Sequence, residues 1–576
     1  MGLVYTFKKF LILPQESETH SNSVKYCLSA ILCSLSSKPW SFMQKISILF
    51  SLLGSMTFAA TDVENSSFKG LLIVDNSAKV RTVGREQIHG IQFDGVAKNE
   101  ELIEELTPLL SDFPLTSNGA EAICSAITTY YHEHDDLRMA VTLPDQDTSD
   151  GVVQLVLSPE RLGRINVKDN KYTEADSLKR WVRLGTADPI NQKTLAQDVA
   201  WMNTNPYRTV KVDYQNTDQA GITDIDLVVS DKKQWKITTG VENTGSNPIG
   251  NNRVFATING NLFTDHTVKF QAITSDQYDK YQSYKGEYFA LLPWRNTLKI
   301  AGSYSGSSYP NKDRQSFEAT TRYSVPQWFS SNPWVDQITY EVGADFKGSN
   351  TNVFFEDDAE PTKKQLAFIG QFIAGVNAVR NQDSNKITAD LDLVGSPLSM
   401  LPHQTDADFD NLRVGARPQY LYSKLALAME QKMFGNWKLW MQGRGQFAFA
   451  DLIPSEQFSL GGYSTVRGYD EKVVGGDHAI CGNLEFRTPE FTVAGIWLPK
   501  FGDKLSFLSF VDGGYAWFRS EVPNTPISQG LLSVGPGVRY AVASYFTSRL
   551  DVGFPLMKVE KSSEKPHIHF STSLSY

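Results

Sequence analysis

Few residues in this chain have the types and spacing that catalysis or metal binding demands. The four cysteines are Cys27, Cys33, Cys124 and Cys481, with no CxxC among them, and no HExxH occurs. Cys124 and Cys481 fall in regions of different texture, so two separate thiols are expected rather than a disulfide. His132 with His134, and His567 with His569, form His-x-His pairs. Such a pair could ligate a metal. With no further ligand at matching spacing, a solvated or lumen-facing pair is the better reading. No nucleophile–base constellation stands out. No catalytic residue, metal or cofactor is therefore assigned, and an enzyme is the weakest reading. What does stand out is Phe458-Ser459-Leu460-Gly461-Gly462-Tyr463-Ser464-Thr465-Val466-Arg467-Gly468-Tyr469-Asp470-Glu471, followed by an isolated carboxylate in Phe510-Val511-Asp512-Gly513-Gly514. Gly461, Gly462 and Gly468 allow positive φ and close backbone approach, so this stretch can fold into a crowded space. Arg467 in such a space must find acceptors, because a guanidinium carries five donors and none of its own.

The elements around these residues are strands. From residue 233 to the end, strands alternate with turns. Ile338, Tyr340, Val342, Ala344 and Phe346 share one face, against Thr339, Glu341, Gly343 and Asp345. Trp437, Leu439, Met441, Phe447 and Phe449 oppose Lys438, Gln442, Arg444 and Gln446. Phe546, Leu550, Val552 and Phe554 oppose Thr547, Arg549 and Asp551. A soluble sandwich alternates too, but closes in about 100 residues. About 16 segments of this kind suit a membrane β-barrel with a polar lumen, where water solvates charges that lipid would not. The last strand, Phe570 to Tyr576, ends on an aromatic residue, as bacterial barrels do. The stretch 451–477 is too long for a simple turn and is expected to have a task of its own.

Ahead of the barrel, one element order occurs twice. Residues 86–160 read strand, helix, helix, strand, strand, and residues 161–232 repeat it. In the second unit Thr173 and Asp176 are expected to form a capping box ahead of Leu178, Trp181 and Val182. Tandem small mixed domains suggest docking. Residues 61–85 are read as a linker. Residues 1–60 are read as an extension with a secretory signal at 43–60: Lys45, an apolar run from Ile46 to Leu53, and small residues at Ala59 and Ala60. A mature chain starting at Ala60 or Thr61 is expected.

Composition agrees. The 576 residues are 41% hydrophobic and 12% aromatic, with a formal net charge of -9. The negative balance disfavours nucleic acid as a partner. No run of roughly 18 apolar residues is present, which excludes a spanning helix but not spanning strands.

The Leu-Gly-Gly and Val466-Arg467-Gly468-Tyr469 runs, the Gly475-Gly476-Asp477 turn, Asn483-Leu484-Glu485-Phe486-Arg487 and the Phe510-x-Asp512-x-Gly514 pattern together resemble the outer-membrane transporters of two-partner secretion. These form the TpsB family of hemolysin secretion and activation proteins. The resemblance covers everything after about residue 85. It implies two polypeptide-transport-associated (POTRA) domains at 86–160 and 161–232, then a transmembrane antiparallel β-barrel of about 16 strands. It also implies a lumenal pairing of Arg467 with Asp512, and an unfolded, TpsA-like secreted exoprotein as partner. The outer-membrane lipid and the barrel assembly machinery would be further partners. Expected location is the outer membrane, with the N-terminal domains in the periplasm. A barrel assembly factor is the runner-up, and a passive porin or adhesin comes third. Many family members carry a plug helix, but residues 61–85 show no amphipathic stripe to supply it. If Arg467 and Asp512 act mainly by direct contact, exchanging the two charges should recover more function than either single change.

Overall fold

The computed structural model describes residues 68–576 except 113–116, 135, 220, 247–248, 310–311, 330–331, 354–362, 497–501 and 561. The proposed extension and signal at 1–60, with Cys27 and Cys33, lie outside the described residues.

The first domain holds β1 (Gly70–Val74), β2 (Gly90–Asp94), α1 (Glu100–Asp112), α2 (Ser117–His134), β3 (Met139–Thr142) and β4 (Val152–Pro159), in sheet order β2-β1-β4-β3. The expected linker at 61–85 is thus corrected at residues 70–74, which form a central strand. Its unbroken apolar run Leu71-Leu72-Ile73-Val74 is buried throughout. Leu71 and Ile73 pack with Leu102, Leu106, Ile123 and Ile127 of the helices. Leu72 and Val74 pack on the other face with Ile88 and Val152. A strand covered on both faces loses its alternation, which is why it does not announce itself by period.

The second domain holds β5 (Arg161–Lys168), α3 (Ala175–Lys179), α4 (Gln192–Met202), β6 (Arg208–Asn216) and β7 (Ile222–Asp231), in order β5-β7-β6. The two units are not strict copies. The place beside the last strand, taken by β5 here, is taken by β1 in the first domain, with β2 moved to the edge. The expected capping box does not form: the N-cap is Glu174, without a side-chain cap bond. Thr173 instead donates its hydroxyl to Asp231 at 2.8 Å, and the same carboxylate accepts the N–H groups of Lys171, Tyr172 and Thr173. A full carboxylate accepting several N–H groups outcompetes a single hydroxyl cap.

Glu160 clamps the two domains together. It accepts Arg138 Nε at 2.8 Å and Thr223 Oγ1 at 2.9 Å, with His132 Nε2 at 3.5 Å. The Arg138 guanidinium lies 3.9 Å over the Tyr214 ring. Burial raises the Glu160 carboxyl, but hydrogen bonds from His132, Arg138 and Thr223, with the Arg138 charge, outweigh it and hold the group down at about 2. A depressed carboxyl stabilises the fold fully above its unfolded value and loses that contribution only as pH falls through its folded value. At neutral pH the contribution is about 3 kcal/mol. The clamp should therefore hold from neutrality to about pH 4. Hydrogen exchange on the full chain should show residues 136–138 and 188–192 protected at pH 5, and exposed at pH 5 in Glu160→Gln. Equal protection in both would refute the clamp.

The barrel follows after residues 232–234. Its strands are β8 (Trp235–Glu242), β9 (Arg253–Phe263), β10 (His266–Ser275), β11 (Tyr281–Leu291), β12 (Thr297–Tyr309), β13 (Lys312–Trp328), β14 (Gln337–Val353), β15 (Lys363–Asn381), β16 (Asn385–Ser396), β17 (Tyr420–Lys432), β18 (Lys438–Ala448), β21 (His478–Arg487), β22 (Asp503–Trp517), β23 (Ser528–Val542), β24 (Phe546–Pro555) and β25 (His567–Ser575). The short strands β19 (Phe458–Leu460) and β20 (Val474–Gly476) pair with each other apart from the wall. The sixteen wall strands close into one barrel, β25 pairing with β8. Phe346, Phe447, Leu550 and Phe554 face outward, and Asp345, Gln446 and Asp551 are buried inward, as alternation requires. No described helix is long and apolar enough to cross a membrane. Strand direction alternates, so the turns after β9, β11, β13, β15, β17, β21 and β23 lie on the same side as the N-terminal domains. Exposed Trp294, Trp334, Phe434 and Tyr545 gather on that side, as an interfacial girdle does.

Candidate functional site: the motif loop in the lumen

The connection from β18 to β21 leaves the far end of the barrel and turns back inside it. Its hairpin β19–β20 packs on the inner wall. Leu460, Val466, Tyr469 and Val474 join Ala479, Cys481, Ala516 and Leu531 in one buried cluster. Gly514 makes this possible: a Cβ there would meet Leu460 Cδ2 at 3.0 Å and Val466 Cγ2 at 3.2 Å. The loop's own bends use Gly461 (φ 105°), Gly462 (φ 94°) and Gly468 (φ 92°), a region that side chains resist.

At the tip, Arg467 is 2% exposed. Its Nε donates to Asp512 Oδ2 at 2.7 Å, Nη2 to Asp512 Oδ1 at 2.8 Å, and the backbone N–H to Oδ2 at 3.1 Å. Its Nη1 donates to Glu485 Oε1 at 2.7 Å, with Asp551 Oδ2 at 3.6 Å. Phe510 stacks its ring 3.6 Å beneath the guanidinium. The structure thus brings Val466, Arg467, Gly468, Tyr469, Phe510, Asp512 and Gly514 into one place. Tyr469 sets its hydroxyl between the carbonyls of Leu532 at 2.8 Å and Met557 at 2.9 Å. Gly461 and Gly462 lie at the loop's turns rather than at the tip.

Several further residues complete the site, of which alternation had already turned Arg549 and Asp551 inward. Glu485 holds Arg467, Arg487 and Arg539. Asp551 holds Arg539 at 2.7 Å and Arg549 at 2.5 Å. Gly468 donates its N–H to His569 Nε2 at 3.0 Å. His569 therefore acts here as a hydrogen-bond acceptor, which agrees with the lumen-facing reading of that pair. Gly553 lets the tip come close, since a Cβ there would stand 2.4 Å from Gly468 N. The signal for Glu485 was available, as it sits on the inward face of a motif strand. Nothing in the spacing pointed to Gly553, or to His569 as a partner of the loop tip. Cys124 and Cys481 are free.

The loop's two ends are fixed as well. Glu456 accepts Lys347 Nζ at 3.1 Å and the Tyr422 hydroxyl at 2.8 Å. Asp477 accepts Leu452 N–H and Arg519 N–H, both at 2.9 Å, and the Arg413 guanidinium.

A closed sixteen-stranded barrel with tandem mixed domains on one side and an arginine-anchored loop inside defines a class of outer-membrane protein. Residues 405–576 match the Omp85 superfamily domain. The heme/hemopexin transporter protein HuxB of Haemophilus influenzae (strain 86-028NP) is 20% identical over 480 residues, 80% of this chain and 82% of that protein. The structure of CdiB from Escherichia coli superposes with a TM-score of 0.63 at 14% identity, covering 93% of this chain and 97% of that one. CdiB from Acinetobacter baumannii gives 0.56 at 15% identity, with the same coverage. The chain is an outer-membrane β-barrel whose residues 405–576 carry the Omp85 superfamily domain, with its two small mixed domains on the periplasmic side. Along most of its length it resembles the two-partner secretion transporters of the TpsB family.

Proposed function

We propose that this chain takes an unfolded exoprotein from the periplasm and passes it through its barrel to the cell surface. The observation that carries the reading is the motif loop held inside the lumen by Arg467, in a barrel whose periplasmic mouth carries the second of the two domains. The tandem domains would receive the client as an added strand along a free sheet edge. The client then threads the polar lumen and folds outside, and that folding drives the passage. The outer-membrane lipid and the barrel assembly machinery are its other partners, and it carries out no chemistry of its own.

One observation favours a second reading, insertion of other barrels through a side opening. The seam between β25 and β8 has only five paired positions, Ser571↔Glu242 to Ser575↔Thr238, against seventeen between β13 and β14. A disulfide across the seam separates the two readings. Thr238 and Ser575 are direct partners whose hydroxyls lie 2.9 Å apart. They alternate with Ile237 and Tyr576, which exchange backbone bonds, so they form a closely spaced non-bonded pair suited to a bridge. Oxidised Thr238→Cys/Ser575→Cys should secrete its client exoprotein as well as the reduced form does. Loss of secretion on oxidation, restored by reductant, would favour the side opening.

A further inference from the structure

We propose that the connection between β16 and β17, residues 397–419 with the helix α5 (Asp406–Leu412), is a lid over the outer mouth of the barrel, latched to the motif loop by Arg413 on Asp477. The proposal depends on the lumen being a pore, not on which client uses it.

The lid's seat is an apolar patch on the inner wall, separate from the one under the motif-loop hairpin. Phe409 is fully buried and packs with Ala367, Ile369, Tyr420 and Tyr422 of the wall and Leu452 of the motif loop. These wall residues face inward. On β15 it is Phe372 and Val376 that are exposed, and on β17 it is Leu421, Leu425 and Leu427, so the opposite parity lines the lumen. Burying the phenylalanine side chain out of water holds the helix to this seat. The other side of α5 is polar, with Asp406 and Asp410 exposed. The helix is fixed locally by a capping box between Thr405 and Asp408. Its entry is fixed by Gln404, buried and bonded to Ser396 Oγ at 3.0 Å and Leu398 O at 3.1 Å.

The latch is one buried ion pair. Arg413 follows the helix directly and grips both Asp477 oxygens, Nη2 to Oδ2 at 2.8 Å. It also donates to Leu452 O at 2.8 Å. Asp477 has no exposed side-chain surface and also accepts the N–H of Leu452 and of Arg519. One carboxylate thus ties the lid to the start and end of the motif loop and to the connection after β22. An extended chain leaving through this mouth must displace α5. Motion of the motif loop moves the Asp477 anchor and so releases the lid.

The test is conductance of the full-length protein in planar lipid bilayers. Phe409→Asp places a charge on the apolar seat and touches none of the motif-loop ion pairs. It should raise mean single-channel conductance several-fold, while heat-modifiable gel migration shows an intact barrel. Phe409→Leu keeps an apolar side chain and should conduct like the parent. Arg413→Ala should also conduct more than the parent. If Phe409→Asp does not fold, replacing residues 404–412 with a Gly-Ser linker makes the same measurement. A folded Phe409→Asp or linker variant with parental conductance would overturn the lid. The readout needs no client, so the lid can stand or fall separately from the secretion reading.

Discussion

Arg467→Ala should abolish most secretion while leaving a folded barrel in the outer membrane. The substitution strips Asp512 of its side-chain donors among the described residues: two guanidinium bonds at 2.7 and 2.8 Å go, and the backbone bond from residue 467 remains. Removing one partner of a buried ion pair costs about 3–5 kcal/mol. Even the lower figure shifts the balance between seated and unseated loop by roughly a hundredfold. The wall is held by ladders from β8 to β25 that this change does not touch, so abundance and heat-modifiable migration should stay near the parent. Asp512→Ala should do less harm, because Arg467 then keeps Glu485 at 2.7 Å and Asp551 at 3.6 Å. Arg467→Lys should rescue only in part, since an ammonium cannot make two parallel bonds to one carboxylate while donating to a second. The simple charge exchange expected from the sequence should fail. Arg467→Asp would set a carboxylate beside Glu485 and Asp551, and no arginine at 512 relieves that. Exoprotein in the medium, normalised to barrel in the membrane, is the measurement. Near-parental secretion by Arg467→Ala would refute the anchoring role.

The failure of the exchange also marks where sequence reasoning stops. Arg467 and Asp512 were legible because the motifs name them and alternation turns Asp512 inward. The network around them depends on register between strands far apart in the chain. Glu485 and Asp551 come within reach of one guanidinium only because β21, β22, β23 and β24 lie side by side with a particular stagger. Period 2 gives the face of each residue but not its height in the barrel. The lid was hidden for a similar reason. Between β16 and β17 the only cues were Thr405 with Asp408 and the lone Phe409, and no local pattern says that a short helix turns into a lumen. The first domain misled in the opposite direction. Leu71 to Val74 is a central strand whose continuous apolar run, flanked by polar residues, resembles a stray patch in a linker. The barrel itself was plain, since an outward face must be apolar along every strand.

Asp198→Ala should detach the second periplasmic domain from the barrel and reduce secretion nearly as far as loss of Arg467. Asp198 lies on α4 with no exposed side-chain surface. It accepts Arg183 through the backbone N–H at 2.8 Å and Nε at 2.7 Å, and Arg295 Nη1 at 2.7 Å. Arg295 belongs to the barrel turn between β11 and β12, so this carboxylate joins domain to wall. A second joint lies beside it: Arg208 Nη2 meets Asp265 Oδ1 at 2.6 Å, and Trp181 Nε1 donates to Asp265 Oδ2 at 3.1 Å. Trp201, fully buried, fills the space between Trp181 and Trp328, its ring 5.5 and 6.0 Å from theirs. Removing Asp198 leaves Arg183 and Arg295 facing each other with their shared acceptor gone, a loss of about 3–5 kcal/mol at the junction. Trp201→Ala should cost a similar amount by opening a cavity. Asp198→Asn keeps acceptors without the charge and should fall between. Limited proteolysis of the full chain reports the junction, because residues 232–234 are the only covalent bridge between β7 and β8. Cleavage there should be slow in the parent and fast in Asp198→Ala and Trp201→Ala, with the barrel fragment still heat-modifiable. If the junction opens and secretion persists, the second domain need not be held at the mouth for the client to enter. If cleavage stays slow, the aromatic and Asp265 contacts hold the domain without Asp198.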